Sequence, residues 1–334
     1  MKKASVWALT GLAAAALTFS STSAMSQKQP VIGLITKTET NPFFVKMKEG
    51  AQAEAKKAGA KLMTAAGKLD GDTASQIAAI ETMTAAGAKT ILITSTGDAV
   101  IPAMKKAQAK GVQFIALDSP MEGADALFAT DNYKAGVLIG QYAKAALGAK
   151  PAKIVMLDLF PGHPVGAQRH NGFMKGFGLE AFDAKSNELS KTAETVCAGD
   201  SFGDQSKGQT AMENCLQKNP DVNVVYTINE PAAAGAYNAL KKAGKEKGVI
   251  IVSVDGGCAG IADVGKGVIG ATSQQYPLKM ASMGVAAGVE FAKTGKKSSG
   301  YTDTGVTLIA KDKIKDVDSQ SVQVGTDLCW GKKT

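Results

Sequence analysis

Arginine is almost missing from this chain of 334 residues: Arg169 stands alone among 38 basic side chains. Histidine is limited to His163 and His170, and cysteine to four residues, none before Cys197. With so few soft ligands and no Cys-x-x-Cys pair, a zinc site is excluded. The net charge of +8 arises from lysines scattered as surface pairs such as Lys56-Lys57, Lys105-Lys106, Lys241-Lys242 and Lys296-Lys297. These pairs are not interleaved with aromatics, so a nucleic-acid partner is not expected. Beyond the N-terminal segment no run of about 18 apolar residues occurs, and no membrane span is expected. Phosphate-loop, zinc-protease, serine-hydrolase and calcium-loop motifs are missing, and neither histidine has an evident Ser or Cys nucleophile beside it. The stretch Gly265–Gly270 spells G-x-G-x-x-G, but it leaves a helical pattern and enters a strand, the reverse of a dinucleotide loop. No cofactor is expected.

What the chain does contain is order along its length. Lys2 and Lys3, the apolar Val6–Phe19 and the small residues Ser21–Ala24 have the form of an export signal, with cleavage readable after Ala24 or Ser26. The expected leader is 1–26, and with no early cysteine a lipid anchor is excluded. From Pro30 onward short β-branched runs alternate with alanine-rich helical stretches, the pattern of βαβ units on a parallel sheet. A first series has strands at Val31–Thr36, Lys61–Thr64, Thr90–Thr94, Gln113–Leu117 and Leu127–Thr130. A second has strands at Lys153–Leu159, Glu188–Val196, Val222–Thr227, Val249–Val254 and Ile269–Ser273, with a β-like run at Val306–Ile309. Helices are expected between them, among them Pro42–Ala58, Asn132–Leu147, Val165–Phe182 and Pro277–Thr294. Two similar series imply two lobes, 27–131 plus 275–302 and 132–274 plus 303–334. The chain would then cross near Thr130–Asn132, Gln274–Tyr276 and Tyr301–Val306, which makes a hinge. Export makes disulfides plausible for the four cysteines, which allow three pairings. Cys197–Cys215 and Cys258–Cys329 are favoured, the second pinning the C-terminal tail beside Asp255; buried free thiols are the alternative.

The strands end in residues suited to a polar ligand. Asn41 follows the first strand, Asp118 the ALD run, Arg169 the loop after IVMLDL, Asn229 the VVYTI run, Asp255 the IIVSV run and Gln275 the ATS run. In open parallel sheets ligands lie beyond the carboxyl ends of the strands. Taken singly, each residue reads as a turn or helix cap. Together they describe a pocket for a small hydroxyl-rich molecule, with carboxylates bridging vicinal hydroxyls and one arginine balancing their charge. Phe43 and Phe44 stand beside Asn41, where a ring could cover the apolar face of a cyclic ligand. Neighbouring helix positions point about 100° apart, so only one of the two is expected to be both exposed and well packed.

The segments TNPFF at 40–44, ALD at 116–118, TDN at 130–132, RHNGF at 169–173, TINE at 227–230, VSVDG at 252–256 and ATSQQYP at 271–277 resemble, in order, those of ribose-binding-like periplasmic receptors of bacterial ABC importers. The resemblance implies an α/β type I periplasmic binding protein: two Rossmann-like lobes with parallel sheets, a three-crossing hinge and a ligand in the cleft. By position it implies ligand contacts at Asn41, Phe43, Phe44 and Asp118 from one lobe and Arg169, Asn229 and Asp255 from the other, with Gln275 at a hinge. Phe202 would cover the far face of the sugar. Ribose binders carry Arg after the Asp where this chain has Ser119, which leaves room for a larger sugar. The TETNPFFVKMKEGA opening and the LCWG ending are most similar to fructose-binding members. The implied protein is a monomeric periplasmic receptor for a monosaccharide, D-fructose as the single best choice, that serves an inner-membrane permease and is compatible with a chemoreceptor or sensor partner. Other pentoses, hexoses or polyols remain open as ligands. An enzyme using Asp118 and Asp255 as a glycosidase pair is the rival from another class, and a sugar-responsive regulator would need a DNA-binding helix pair where the leader stands.

Overall fold

The structure, a computed structural model, describes Met1 and residues 29–331. The expected leader, apart from Met1, lies outside the described residues.

Two six-stranded sheets carry the fold. The first uses β1 (Val31–Thr36), β2 (Lys61–Ala66), β3 (Thr90–Ile93), β4 (Gln113–Leu117), β5 (Ala126–Ala129) and β11 (Gly300–Asp303) in the order β11-β5-β4-β3-β1-β2. All its pairings are parallel. The second uses β6 (Ile154–Asp158), β7 (Thr195–Asp200), β8 (Val224–Thr227), β9 (Ile250–Asp255), β10 (Ala271–Gln274) and β12 (Thr307–Ala310) in the order β12-β10-β9-β8-β6-β7. Here only β12 runs antiparallel to its neighbour, β10. Both sheets therefore contain the doubly wound order 2-1-3-4-5, whose direction reverses beside the first strand of each series. The switch points lie between β1 and β3 and between β6 and β8. Apolar clusters cover both faces of each sheet, as parallel sheets require.

Helices α1 (Pro42–Ala58), α2 (Thr73–Ala85), α3 (Ile101–Gln108) and α9 (Pro277–Thr294) pack on the first sheet, and α4 (Asn132–Leu147), α5 (Pro164–Phe177), α6 (Gln205–Lys218), α7 (Glu230–Lys242), α8 (Cys258–Lys266) and α10 (Val322–Leu328) on the second. Their starts explain why the cleft is polar. The side chains of Asn41, Asp131, His163 and Asn229 each accept a backbone N–H in the first turn of the following helix. Proline follows at the first or second position in α1, α5 and α7, where its missing N–H is harmless.

The closest packing joins α4 to α5. Gly136 and Gly140 on α4 face Gly172 and Gly176 on α5, and a Cβ at any of them would overlap a backbone carbonyl of the other helix. The two helices thus meet backbone to backbone, one turn from Arg169.

The α/β architecture of two mainly parallel lobes agrees with the sequence reading; several boundaries do not. The strand expected at Glu188–Val196 forms instead at Thr195–Asp200. The residues before it are strapped to α5, since Asn171 accepts from both the N–H and the hydroxyl of Ser190 and donates to Glu188 O. Helix α5 ends at Phe177, not Phe182, because Gly178 takes the left-handed conformation at φ 87° and closes it. Strand β11 and helix α10 went unread. Both favoured disulfides form: Cys197–Cys215 ties β7 to α6, and Cys258–Cys329 anchors the tail. The tail then pairs with the Asp255 loop, Cys258 N–H donating to Trp330 O at 2.9 Å.

Candidate functional site

The carboxyl ends of both sheets face one gap. Asp118 follows β4 and Asp255 ends β9, and each holds a positive φ, 62° and 146°. Such backbone is costly for a side chain larger than glycine and persists where the surroundings impose it. Phe202 is a third case at φ 52°. Burial holds the Asp255 carboxyl above its ordinary range, against the pull of Arg169 and of its Gln275 hydrogen bond.

Arg169, on α5, occupies the centre and is buried. Its Nε donates to Asn132 Oδ1 at 2.8 Å and its Nη1 to Ile228 O at 2.9 Å. The same guanidinium lies 3.9 Å from Asp118 Oδ1 and 4.0 Å from Asp255 Oδ1. Those separations neutralise charge yet are too long for direct hydrogen bonds, so both carboxylates keep lone pairs for another donor. Gln275 Nε2 donates to Asp255 Oδ1 at 2.8 Å, and Ser119 Oγ donates to Asp118 Oδ2 at 3.1 Å. Asp118 Oδ1 and Gln275 Oε1 are buried with no hydrogen-bond partner among the described residues. Buried polar atoms of this kind are rare in folded proteins and call for an explanation.

Asp118, Arg169, Asp255 and Gln275 are thus brought together. Asn41 and Asn229 serve as helix caps; the amide of Asn229 also donates to Gly203 O at 3.0 Å. Phe43 and Phe44 are both buried, edge to face at 5.3 Å. Neither ring is exposed, and the Trp330 ring lies 5.6 Å from Phe43 on its other side. The Phe202 ring stacks on Phe160 at 5.6 Å and carries Lys207 Nζ 3.9 Å away. Phe160 stands between Phe202 and His163.

Several site residues escaped the sequence reading. Asn132 accepts from Arg169 and donates to Asp118 O and Thr130 O, so it links the arginine to the first crossing; the TDN segment marked it only as a helix start. Glu230 accepts from the N–H groups of Gly256 and Gly257 and from Thr272 Oγ, fixing the loop behind Asp255. Its burial and the nearby Asp255 raise its pKa. His170 is buried rather than on the helix surface, its ring nitrogens 2.8 Å from Asp158 Oδ1 and Ser190 O. No sequence signal distinguishes it from an exposed helical histidine.

Donors, acceptors and aromatic rings converging from two sheets suit a neutral polyhydroxyl molecule. No cluster of three His, Cys, Asp or Glu side chains able to hold a metal ion occurs among the described residues. A periplasmic binding protein domain matches residues 32–297. The ribose import binding protein RbsB of Haemophilus influenzae is 32% identical over 293 residues, spanning 86% of this chain and 94% of that protein. The D-allose-binding periplasmic protein of Escherichia coli is 28% identical over 83% of this chain and 88% of that protein. Among solved structures, an ABC transporter periplasmic solute binding protein from Actinobacillus succinogenes with bound D-allose superposes with a TM-score of 0.74 at 25% identity, covering 85% of this chain and 98% of that one. The chain belongs to the periplasmic binding protein family. The resemblance drawn from its seven segments is borne out, and the relatives it matches are solute-binding proteins rather than enzymes.

Proposed function

We propose that this protein is the periplasmic receptor of an ABC sugar importer and closes its two lobes on one monosaccharide, D-fructose being the best candidate. The observation that carries the reading is Arg169 held between Asp118 of one lobe and Asp255 of the other while Asp118 Oδ1 lacks a partner. A sugar hydroxyl donating to that oxygen would satisfy it, and charge-assisted bonds of this type are the strong ones. Closure is coupled to the ligand because the first lobe supplies Asn41, Phe43, Phe44 and Asp118, and the second Arg169, Asn229 and Asp255, with Phe202 over the far face of the sugar and Gln275 at the hinge. Only the closed state engages both sets. Ribose and D-allose relatives support a pentose or hexose ligand, and the fructose choice rests on the TETNPFFVKMKEGA and LCWG segments.

The lobes proposed are 27–131 with 275–302 and 132–274 with 303–334, after removal of a leader at 1–26. The receptor acts as a monomer, hands its sugar to an inner-membrane permease and offers the same closed form to a chemoreceptor or sensor. Isothermal titration of the leaderless protein against D-fructose, D-allose, D-ribose, D-arabinose and a panel of polyols is the test. Saturable binding of at least one with micromolar Kd, about −8 kcal/mol, is expected; no heat with any of them refutes the reading.

A further inference from the structure

The two topological switch points meet face to face, and none of the carboxylates described above occupies that meeting place. Lys37 follows β1 and Ser95 follows β3, at the first switch point; His163 follows β6, at the second. Lys37 Nζ lies 3.1 Å from His163 Nε2 and 3.9 Å from Asp70 Oδ1, and 5.9 Å from the centre of the Phe44 ring. Lys37 and His163 are buried, and Asp70 Oδ1 is buried without a hydrogen-bond partner among the described residues.

The bonding is mismatched in an informative way. His163 Nδ1 accepts the N–H of Val165 at 3.2 Å, as the cap of α5. The neutral ring therefore carries its proton on Nε2, which faces Ser95 O at 3.4 Å and the Lys37 ammonium. Burial and the adjacent Lys37 hold the His163 pKa well below its usual value, so the ring stays neutral. Two donors from opposite lobes thus confront each other beside a carboxylate oxygen with nothing to accept. A single hydroxyl resolves all three, because it accepts two bonds and donates one. Hydrogen bonds to a shared oxygen run about 2.7–3.0 Å, so one oxygen can bridge Lys37 to His163 across 3.1 Å, and Lys37 to Asp70 across 3.9 Å.

We propose that Lys37, Asp70 and His163 form a second hydroxyl subsite in the cleft, which takes the exocyclic hydroxymethyl group of a hexose and so selects hexoses over pentoses. This rests on the sugar-receptor reading above and adds to it the size of the sugar. Asp118, Arg169, Asp255 and Gln275 form a separate group that serves hydroxyls on the ring. A pentose in its pyranose form can satisfy that group, but a ligand that also fills the Lys37 subsite needs a hydroxyl beyond the pyranose ring.

The test is calorimetric titration of wild type, Asp70→Asn and Lys37→Met with two hexoses, D-fructose and D-allose, and two pentoses, D-ribose and D-arabinose. Melting curves accompany each protein. The wild type should bind at least one hexose about tenfold or more tighter than either pentose, as one charge-assisted bond warrants. Each variant should lose about tenfold or more for that hexose and less than about threefold for a pentose, collapsing the ratio. Equal losses for both classes, unchanged hexose affinity, or a wild type that prefers a pentose overturns the subsite while leaving the receptor reading intact. Silence of the wild type toward all four sugars also overturns the subsite, and only silence across the polyol panel as well refutes the receptor reading. Should either variant melt below the assay temperature, His163→Gln replaces it with the same expected ratio.

Discussion

Arg169 carries two tasks that a lysine cannot combine. Its Nε and Nη1 hold Asn132 and Ile228 O while the rest of the guanidinium faces two carboxylates, which a single ammonium on a flexible stem does not reproduce. Arg169→Lys should weaken sugar binding by about tenfold to a hundredfold, read by calorimetry, because it leaves buried partners unpaired. His163 gives the affinity a pH dependence of definite sign. In the closed cleft its charged form is disfavoured by burial, by Lys37 and by Arg169, while Ser95 O pulls the other way. Closure therefore has its full strength above the ordinary imidazole value of 6.5 and weakens as pH falls below it. His170 has the opposite shift, but its partners Asp158 and Ser190 lie beside it in the same lobe, so closure leaves it unchanged. Asp255, held up by burial, acts in the opposite direction in both proteins, so from pH 7.5 down to 5 the wild type should lose affinity relative to His163→Gln.

At the scale of elements the loops depend on what lies behind them. Removing Glu230 as Glu230→Ala strands the N–H groups of Gly256 and Gly257 and the hydroxyl of Thr272. The expected cost is about 2–4 kcal/mol in a urea titration, with sugar affinity reduced because Asp255 adjoins that loop. At the α4–α5 seam Gly172→Ala would force the helices apart and should cost about 1–3 kcal/mol. Much of this was legible beforehand. The helices Pro42–Ala58, Asn132–Leu147 and Pro277–Thr294 match their sequence signals, because Asn41-Pro42, Asp131 and Pro277 announce where they begin. Strand-end residues could be named because in a parallel sheet the end of each apolar run is also an edge of the crevice. Lys37, Asp70 and Asn132 could not. Their roles arise from pairings between separate segments, and nothing local separates a buried lysine after a strand from the many exposed ones. The strand at Thr195–Asp200 was misplaced because Asn171 and Ser190 turn the preceding β-prone run into a strap.

Across the whole molecule the C-terminal tail connects parts distant in sequence. Cys258–Cys329 brings Trp330 against Phe43, and the indole N–H donates to Gln275 O at 3.0 Å. Apart from Trp7, in the expected leader, Trp330 is the only tryptophan, so emission from the leaderless protein reports on this contact alone. Saturating D-fructose should reduce its quenching by acrylamide, and unchanged quenching would contradict closure onto Phe43. The pair spans 71 residues against 18 for Cys197–Cys215. The double variant Cys258→Ser, Cys329→Ser should therefore lose about 2–4 kcal/mol in urea unfolding, and more than its counterpart at Cys197 and Cys215. The bare contact of α4 with α5 has a mechanical corollary. With carbonyl groups set against glycine at four points, the two backbones have no gap to close there, and Asn132 joins Arg169 to the crossing at Thr130. A tug on the guanidinium is passed to the pivot without slack, as a rigid crank passes torque to its axle.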